Sequence, residues 1–120
     1  MKYTPIQNYI NGKFVNASTH KTLDVISPLD GALLSTVPMS AAKDLDDAVK
    51  AAQSAFSTWS KTPIKERVQV FFRYKYLLEK YLDELSALCS EENGKTYSES
   101  VAEIEKCIEL TEFATTLPQL

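Results

Sequence analysis

The spacing of apolar residues changes once along this chain, at Ser40, and that change limits the fold more than any other feature of the sequence. Before it, short β-prone runs alternate with turn residues. After it, apolar residues recur at the 3.6-residue spacing of amphipathic helices to the last turn of the chain. A chain of this pattern is α+β, with strands and a hairpin first and three or four helices after them, and with strands and turns over 1–37 and helices over 38–120. Its 120 residues fit one domain of the usual size, about 100 to 200 residues, and exclude a two-domain enzyme.

In the first part, Tyr9-Ile10-Asn11-Gly12-Lys13-Phe14-Val15 sets Asn-Gly between two β-prone runs. Asn and Gly both tolerate the positive φ of a two-residue hairpin turn. Thr22–Ser27 approaches Pro28-Leu29-Asp30-Gly31, and Ala32–Val37 leaves it, which predicts a second strand pair of undetermined register.

The helical part begins with Ser40 as expected N-cap and with Asp44, Asp46 and Asp47 in the early turns, where the helix dipole favours acid. Leu45, Ala48, Val49, Ala52, Ala55, Phe56 and Trp59 form its apolar stripe. Thr62 is suited to cap a second helix and Pro63 to its first position. That helix runs through Val68, Phe71, Phe72, Leu77, Leu78, Tyr81, Leu82, Leu85, Leu88 and Cys89, with a break expected near Asp83. Asn93-Gly94 supplies a left-handed helix end, and Thr96-Tyr97-Ser98-Glu99 has capping-box spacing for a third helix carrying Val101, Ile104, Ile108 and Leu110. The expected core is Leu45, Val49, Phe56, Trp59, Phe71, Phe72, Leu78, Leu85 and Ile104, with no strand between Ala41 and Trp59. Phe56, Trp59, Phe71, Phe72, Tyr74, Tyr76 and Tyr81 read as packing between helices rather than as a platform for stacked bases.

Charge and cysteine usage narrow the functional classes. With 13 Lys+Arg against 16 Asp+Glu the net charge is -3 and no basic stripe recurs, which argues against a nucleic-acid partner. The apolar runs fall far short of the roughly 20 residues that span a bilayer, and the first residues lack a secretory core, so a cytoplasmic location is expected. Asn16-Ala17-Ser18 matches a glycosylation acceptor, which has no meaning in that compartment. Cys89 and Cys107 read as reduced, buried helix thiols, without the paired spacing of a zinc site. His20, the one histidine, sits in a polar turn and reads as solvated. Gly12, Gly31 and Gly94 are isolated in separate turns, so no glycine-rich phosphate loop is present. Glu99, Glu103, Glu105, Glu109 and Glu112 read as a solvated helix face.

Taken together, Asn8–Val15, Ser27-Pro28-Leu29-Asp30-Gly31, Val37-Pro38, Ala48–Ala52, Ala55-Phe56-Ser57-Thr58-Trp59, the Pro63 to Arg67 segment and Glu92-Asn93-Gly94-Lys95 are ordered and spaced as in a known family. Over nearly its whole length the chain resembles the N-terminal part of the NAD(P)-dependent aldehyde dehydrogenase superfamily. Asn8–Gly12, Thr58-Trp59-Ser60-Lys61 and Glu112-Phe113-Ala114 look most like the methylmalonate-semialdehyde dehydrogenase branch, whose members make a coenzyme A thioester. An arginine on the third helix of that branch is thought to meet the substrate carboxylate. The matching position is Lys106, which keeps the charge but not the bidentate fork.

The resemblance implies a partial piece of the α/β aldehyde-dehydrogenase fold, the N-terminal part of its cofactor domain. It also implies an aldehyde oxidised through a cysteine thioester, with NAD or NADP as cofactor and water or coenzyme A releasing the acyl group. The motifs for nucleophile, oxyanion donor, base and cofactor are expected after Leu120, so no catalytic, cofactor or metal residue is assigned within 1–120. The expected partners are the remainder of the same polypeptide and further copies in a homo-oligomer, and the chain's ending reads as a cut. The alternative is a free-standing helical interaction module without catalysis.

Overall fold

The computed structural model describes residues 1–119 and divides into two compact units, one covering Met1–Lys61 and the other starting at Thr62. Strands β1 (Asn8–Ile10), β2 (Lys13–Val15), β3 (Thr22–Ile26) and β4 (Leu33–Pro38) precede helices α1 (Ala42–Trp59), α2 (Ile64–Arg67), α3 (Gln69–Lys80), α4 (Leu82–Asn93) and α5 (Tyr97–Ala114). A 3₁₀ turn at Leu117–Gln119 follows. The α+β class and the position of the change from strand to helix agree with the sequence pattern, and no strand interrupts Ala41–Trp59.

In the first unit, β1 and β2 pair antiparallel with Tyr9 opposite Phe14, their rings 5.0 Å apart between centroids. The turn holds φ of 53° at Asn11 and 76° at Gly12, the paired positive values a tight hairpin requires. Strands β3 and β4 pair antiparallel with Leu23 opposite Val37, a register the sequence left open, and are offset by a bulge between Val25 and Ile26. The turn between them is closed by Ser27 N–H donating to Ala32 O and Gly31 N–H donating to Ser27 O, both 2.9 Å. The other edge of β4 is occupied as well: the backbone N–H groups of Lys2, Tyr3 and Ile6 donate to the carbonyls of Leu33, Leu34 and Thr36. This contact buries Leu34 and Ser35, and the Ser35 hydroxyl donates to Thr4 O.

The helix boundaries shift slightly from the expected ones. Ala41, not Ser40, is the N-cap of α1, because Asp44 reaches back to accept the Ala41 N–H while Ser40 donates its hydroxyl to Asn8 Oδ1. Pro63, not Thr62, is the N-cap of α2, so the helix starts one residue later than expected, at Ile64. The long second helix is divided between α2 and α3 at Val68, which keeps helical φ −66° and ψ −22°, and is broken at Tyr81, φ −106° and ψ 20°, two residues before Asp83. Four helices of 12 or 18 residues and one single turn therefore stand where three or four were expected. Gly94, at φ 70°, ends α4 in the left-handed conformation. Thr96 and Glu99 form the capping box of α5, with Thr96 N–H donating to Glu99 Oε2 at 3.0 Å.

In the second unit α3 and α4 both pack on α5. Ser86 and Ser100, both without solvent exposure, turn their hydroxyls onto carbonyls of their own helices, Leu82 O and Thr96 O. With no long side chain projecting at either position, neighbouring backbone can come close.

The expected core requires correction. Leu78 is buried, and Leu85 and Ile104 are half-buried. Leu45, Val49, Phe56, Trp59, Phe71 and Phe72 are exposed, Leu45 at 65% and Phe56 at 68%. Tyr74, Tyr76 and Tyr81 are exposed too, so the aromatic set does not pack between helices here, and Leu110 is exposed on α5. The helical stripes exist as the spacing predicts, but on α1 and around Phe71 and Phe72 of α3 the large apolar side chains stay exposed among the described residues. Leu34 and Leu78 are the buried hydrophobic side chains among those residues.

Candidate functional site

The most tightly held polar group of the first unit is Asp44, at the third position of α1. Its Oδ1 accepts the Ser18 N–H at 2.8 Å, and its Oδ2 accepts the Ser18 hydroxyl at 2.9 Å and the Ala41 N–H at 2.8 Å. These bonds hold its carboxyl below the ordinary carboxylate range, the Ala41 N–H first and the Ser18 donors after it. Burial opposes the shift. Asp44 thus fastens the loop after β2 to the start of α1, and open grooves on either side are lined by Tyr9 and Leu45 and by Lys13 and Asp47.

The sequence placed Asp44 only as acid near a helix dipole. Once Ala41 is taken as N-cap, an aspartate three residues on has the spacing of a capping-box acceptor, and that signal was available. Ser18 is too distant in sequence for any local pattern to have found it.

Because its folded pKa is depressed, the ionised form of Asp44 stabilises the fold above the unfolded value of 3.8, and this contribution is lost as pH falls through the lower folded value. In the complete protein, Asp44→Asn is expected to melt a few degrees below the parent at neutral pH, with the gap closing below about pH 4. Melting curves of both proteins across that range check it, and a gap of constant size would exclude the ionised carboxylate as its source.

A second cluster lies where α4 meets α5. Lys95 is ion-paired with Glu103, which raises the lysine pKa and lowers that of the glutamate. Cys89 donates its thiol to the same glutamate oxygen across 3.8 Å, and Asn93 Nδ2 donates to the Cys89 carbonyl at 3.2 Å. With each polar group engaged by a neighbour, the cluster fastens the end of α4 to α5.

Both cysteines are free, as expected, but not buried: Cys89 is half-buried and Cys107 exposed, because α5 turns Cys107 away from its packed face. The acidic side chains of α5 are exposed, yet four are committed to particular partners: Glu99 to the cap, Glu103 to Lys95, Glu109 to Lys106, and Glu112 to Lys75 at 3.2 Å. His20 lies exposed in the loop before β3. No group of three or more His, Cys, Asp or Glu side chains among the described residues could hold a metal ion.

Lys106 stands on α5 with its side chain 66% exposed and its ammonium 2.5 Å from Glu109 Oε2. An exposed pair three residues apart on one helix is weak, so the ammonium can turn to another anion at little cost.

Two hairpins followed by a helical unit bring together no complete catalytic site among the described residues, and the comparisons place the chain in a family. Residues 14–119 match the family model described as the aldehyde dehydrogenase family, and the chain belongs to that family. It is 45% identical over 115 residues to malonate-semialdehyde dehydrogenase 1 of Geobacillus thermodenitrificans (strain NG80-2), covering 96% of this chain and 24% of that protein. The malonate-semialdehyde dehydrogenase of Bacillus pumilus (strain SAFR-032) is 44% identical over the same coverage.

Among solved structures, the chain superposes at a TM-score of 0.92 and 29% identity on a protein assigned as a methylmalonate-semialdehyde dehydrogenase from Sinorhizobium meliloti 1021, complexed with NAD. That match covers 99% of this chain and 24% of the other. Lactaldehyde dehydrogenase from Escherichia coli matches at a TM-score of 0.87 and 27% identity, covering 93% and 24%. The chain thus spans about a quarter of the length of the relatives it matches.

The glycine turns and the ends of α1 and α5 offer a dinucleotide no phosphate cradle. Gly12, Gly31 and Gly94 lie in three separate turns, and the N-termini of α1 and α5 are filled by the carboxylates of Asp44 and Glu99. An incoming pyrophosphate would meet negative charge at both helix ends instead of free N–H groups.

Proposed function

We propose that this chain is the N-terminal part of the cofactor domain of an NAD(P)-dependent aldehyde dehydrogenase that oxidises a carboxylate-bearing semialdehyde, with coenzyme A or water as acyl acceptor. Its role there is to support a catalytic centre supplied by the rest of the polypeptide. The observation that carries this reading is the exposure of the apolar faces of α1 and α3, which hold Leu45, Val49, Phe56, Trp59, Phe71 and Phe72 out to solvent. Continuous apolar helix faces of this kind are built to be covered by protein. The relatives, four times as long, are aldehyde dehydrogenases. No helix among the described residues is long and apolar enough to cross a membrane.

When bound, the nicotinamide supplies the hydride acceptor of the reaction. The side chain in this segment that we assign to the substrate is Lys106, which holds a single positive charge for the distal carboxylate of the semialdehyde. The test is the complete reading frame, assayed for NAD- and NADP-dependent oxidation of malonate semialdehyde and methylmalonate semialdehyde with and without coenzyme A. Failure to oxidise either compound, with oxidation of uncharged aldehydes only, would overturn the substrate class.

In that protein Lys106→Met is expected to raise KM for the charged semialdehydes about tenfold, the loss of one charge-assisted contact, with KM for an uncharged aldehyde of similar length unchanged. Lys106→Arg should keep the parent KM or lower it. An equal rise for both classes of substrate would remove Lys106 from the site.

A further inference from the structure

Arg67 is the last residue of α2, and its Nε is buried without a hydrogen-bond partner. A guanidinium stays charged at every physiological pH and carries five N–H donors, so a buried N–H left without an acceptor is costly wherever it occurs. The surroundings sharpen the problem. The backbone is helical through Val68, with Val68 N–H bonded to Ile64 O and Phe71 N–H bonded to Val68 O, so residues 64, 67, 70, 71 and 74 share one helix face. The neighbours of Arg67 on that face, Ile64, Val70, Phe71 and Tyr74, are all exposed. The same face continues along α3 into an open, mainly apolar groove lined by Tyr74, Leu77, Leu78, Tyr81 and Leu85, with Glu84 at its α4 end.

A face of this composition is stabilised by losing contact with water, and whatever covers it also takes the remaining solvent from Arg67. Apolar cover alone would strand the charge. Burial of an arginine is tolerated where an anion meets it, and a carboxylate fits the guanidinium fork with two parallel bonds.

We propose that the face from Ile64 to Tyr81 is the docking surface for a segment of the same polypeptide beyond this chain, and that this segment carries an aspartate or glutamate whose carboxylate pairs with Arg67. The inference rests on the reading of the chain as the first quarter of a longer enzyme. It adds the chemistry of one contact that the remaining three-quarters must make.

The test uses the complete protein. Its parent form is treated with phenylglyoxal, and the extent of modification is read by mass spectrometry at the chain's two arginines, exposed Arg73 serving as internal standard. Arg67 is expected to react about tenfold more slowly than Arg73, as a paired and covered guanidinium should. Reaction at equal rates overturns the proposal without further variants.

Thermal melting of parent, Arg67→Lys and Arg67→Met then identifies the acceptor. Arg67→Met is expected to lower the melting temperature by roughly 5 °C or more and Arg67→Lys by less, and the parent–Met gap should shrink as pH falls through the carboxylate range. Glu66 on α2, Glu79 on α3, the latter paired with Lys75, and Glu84 at the groove are common to all three proteins, so their contributions cancel in the difference. A gap that does not change with pH would mean a neutral acceptor and overturn the carboxylate assignment. An Arg67→Met protein as stable as the parent would overturn the docking itself. Semialdehyde oxidation by the parent is scored separately, so a protein that is active but unaffected at Arg67 refutes this inference alone.

Discussion

Residues 1–120 prepared on their own are expected to scatter light as an oligomer or aggregate, and to show strong far-ultraviolet helix signal with weak near-ultraviolet signal and no sharp melt. The helices have support in the Thr96–Glu99 capping box, the Gly94 terminator and the ion pairs of Lys75 with Glu79 within α3 and with Glu112 on α5, so helix content should survive. Fixed tertiary packing should not. Leu34 and Leu78 are the hydrophobic side chains fully taken from water among the described residues, and burying such a side chain is worth roughly 1.5–3 kcal/mol. Meanwhile Leu45, Phe56, Trp59, Phe71 and Phe72 stand in solvent, and the two-stranded β1–β2 sheet keeps open edges that invite association.

The same preparation should have no aldehyde-oxidising activity and no measurable affinity for NAD, because its glycines lie in separate turns and the N-termini of α1 and α5 are closed by Asp44 and Glu99. A sharply melting monomer with a strong near-ultraviolet spectrum would show an autonomous unit and favour the non-catalytic module. Micromolar NAD binding by calorimetry would contradict the account of the helix ends.

The second large effect is expected at Ser86. Its side chain has no solvent exposure, so Ser86→Leu must force added volume into a filled space and should destabilise the complete protein by roughly 3 kcal/mol, an overpacking effect. Ser86→Ala should be nearly silent. The hydroxyl's acceptor, Leu82 O, belongs to the same helix, so removing the donor leaves no isolated polar group. Denaturant midpoints of the two variants check the pair. If Leu is tolerated as well as Ala, α4 has no close neighbour at that position.

Where the chain turns, caps and changes period was legible in the sequence, because those features depend on a few consecutive residues. Asn11-Gly12 supplied its two positive φ angles and Gly94 its left-handed stop, and Thr96 with Glu99 closed a capping box at the expected spacing. Errors of one or two residues arose where two local solutions compete. Ser40 is a good cap by type, but Asp44 reached Ala41 first; Asp83 looked like a break, but Tyr81 took the non-helical conformation.

The candidate site divides the same way. Lys106 was placed by family likeness and lies on α5 as expected, whereas the Ser18–Asp44 tie and the Cys89–Lys95–Glu103 cluster join residues 26, 14 and 8 positions apart that no periodicity connects.

Burial is what the sequence misread, and the reason is physical. A hydrophobic stripe records that a helix face is to be covered, but not which layer of protein covers it. For Leu45, Phe56, Trp59 and Phe71 the stripe was read correctly, yet the side chains remain exposed because no second layer meets them among the described residues. Local chemistry, set by the sequence, determined the strands, helices, turns and caps. The tertiary structure alone decided which few side chains are buried and left the unsatisfied Arg67 Nε in view, since both depend on neighbours far apart in the chain.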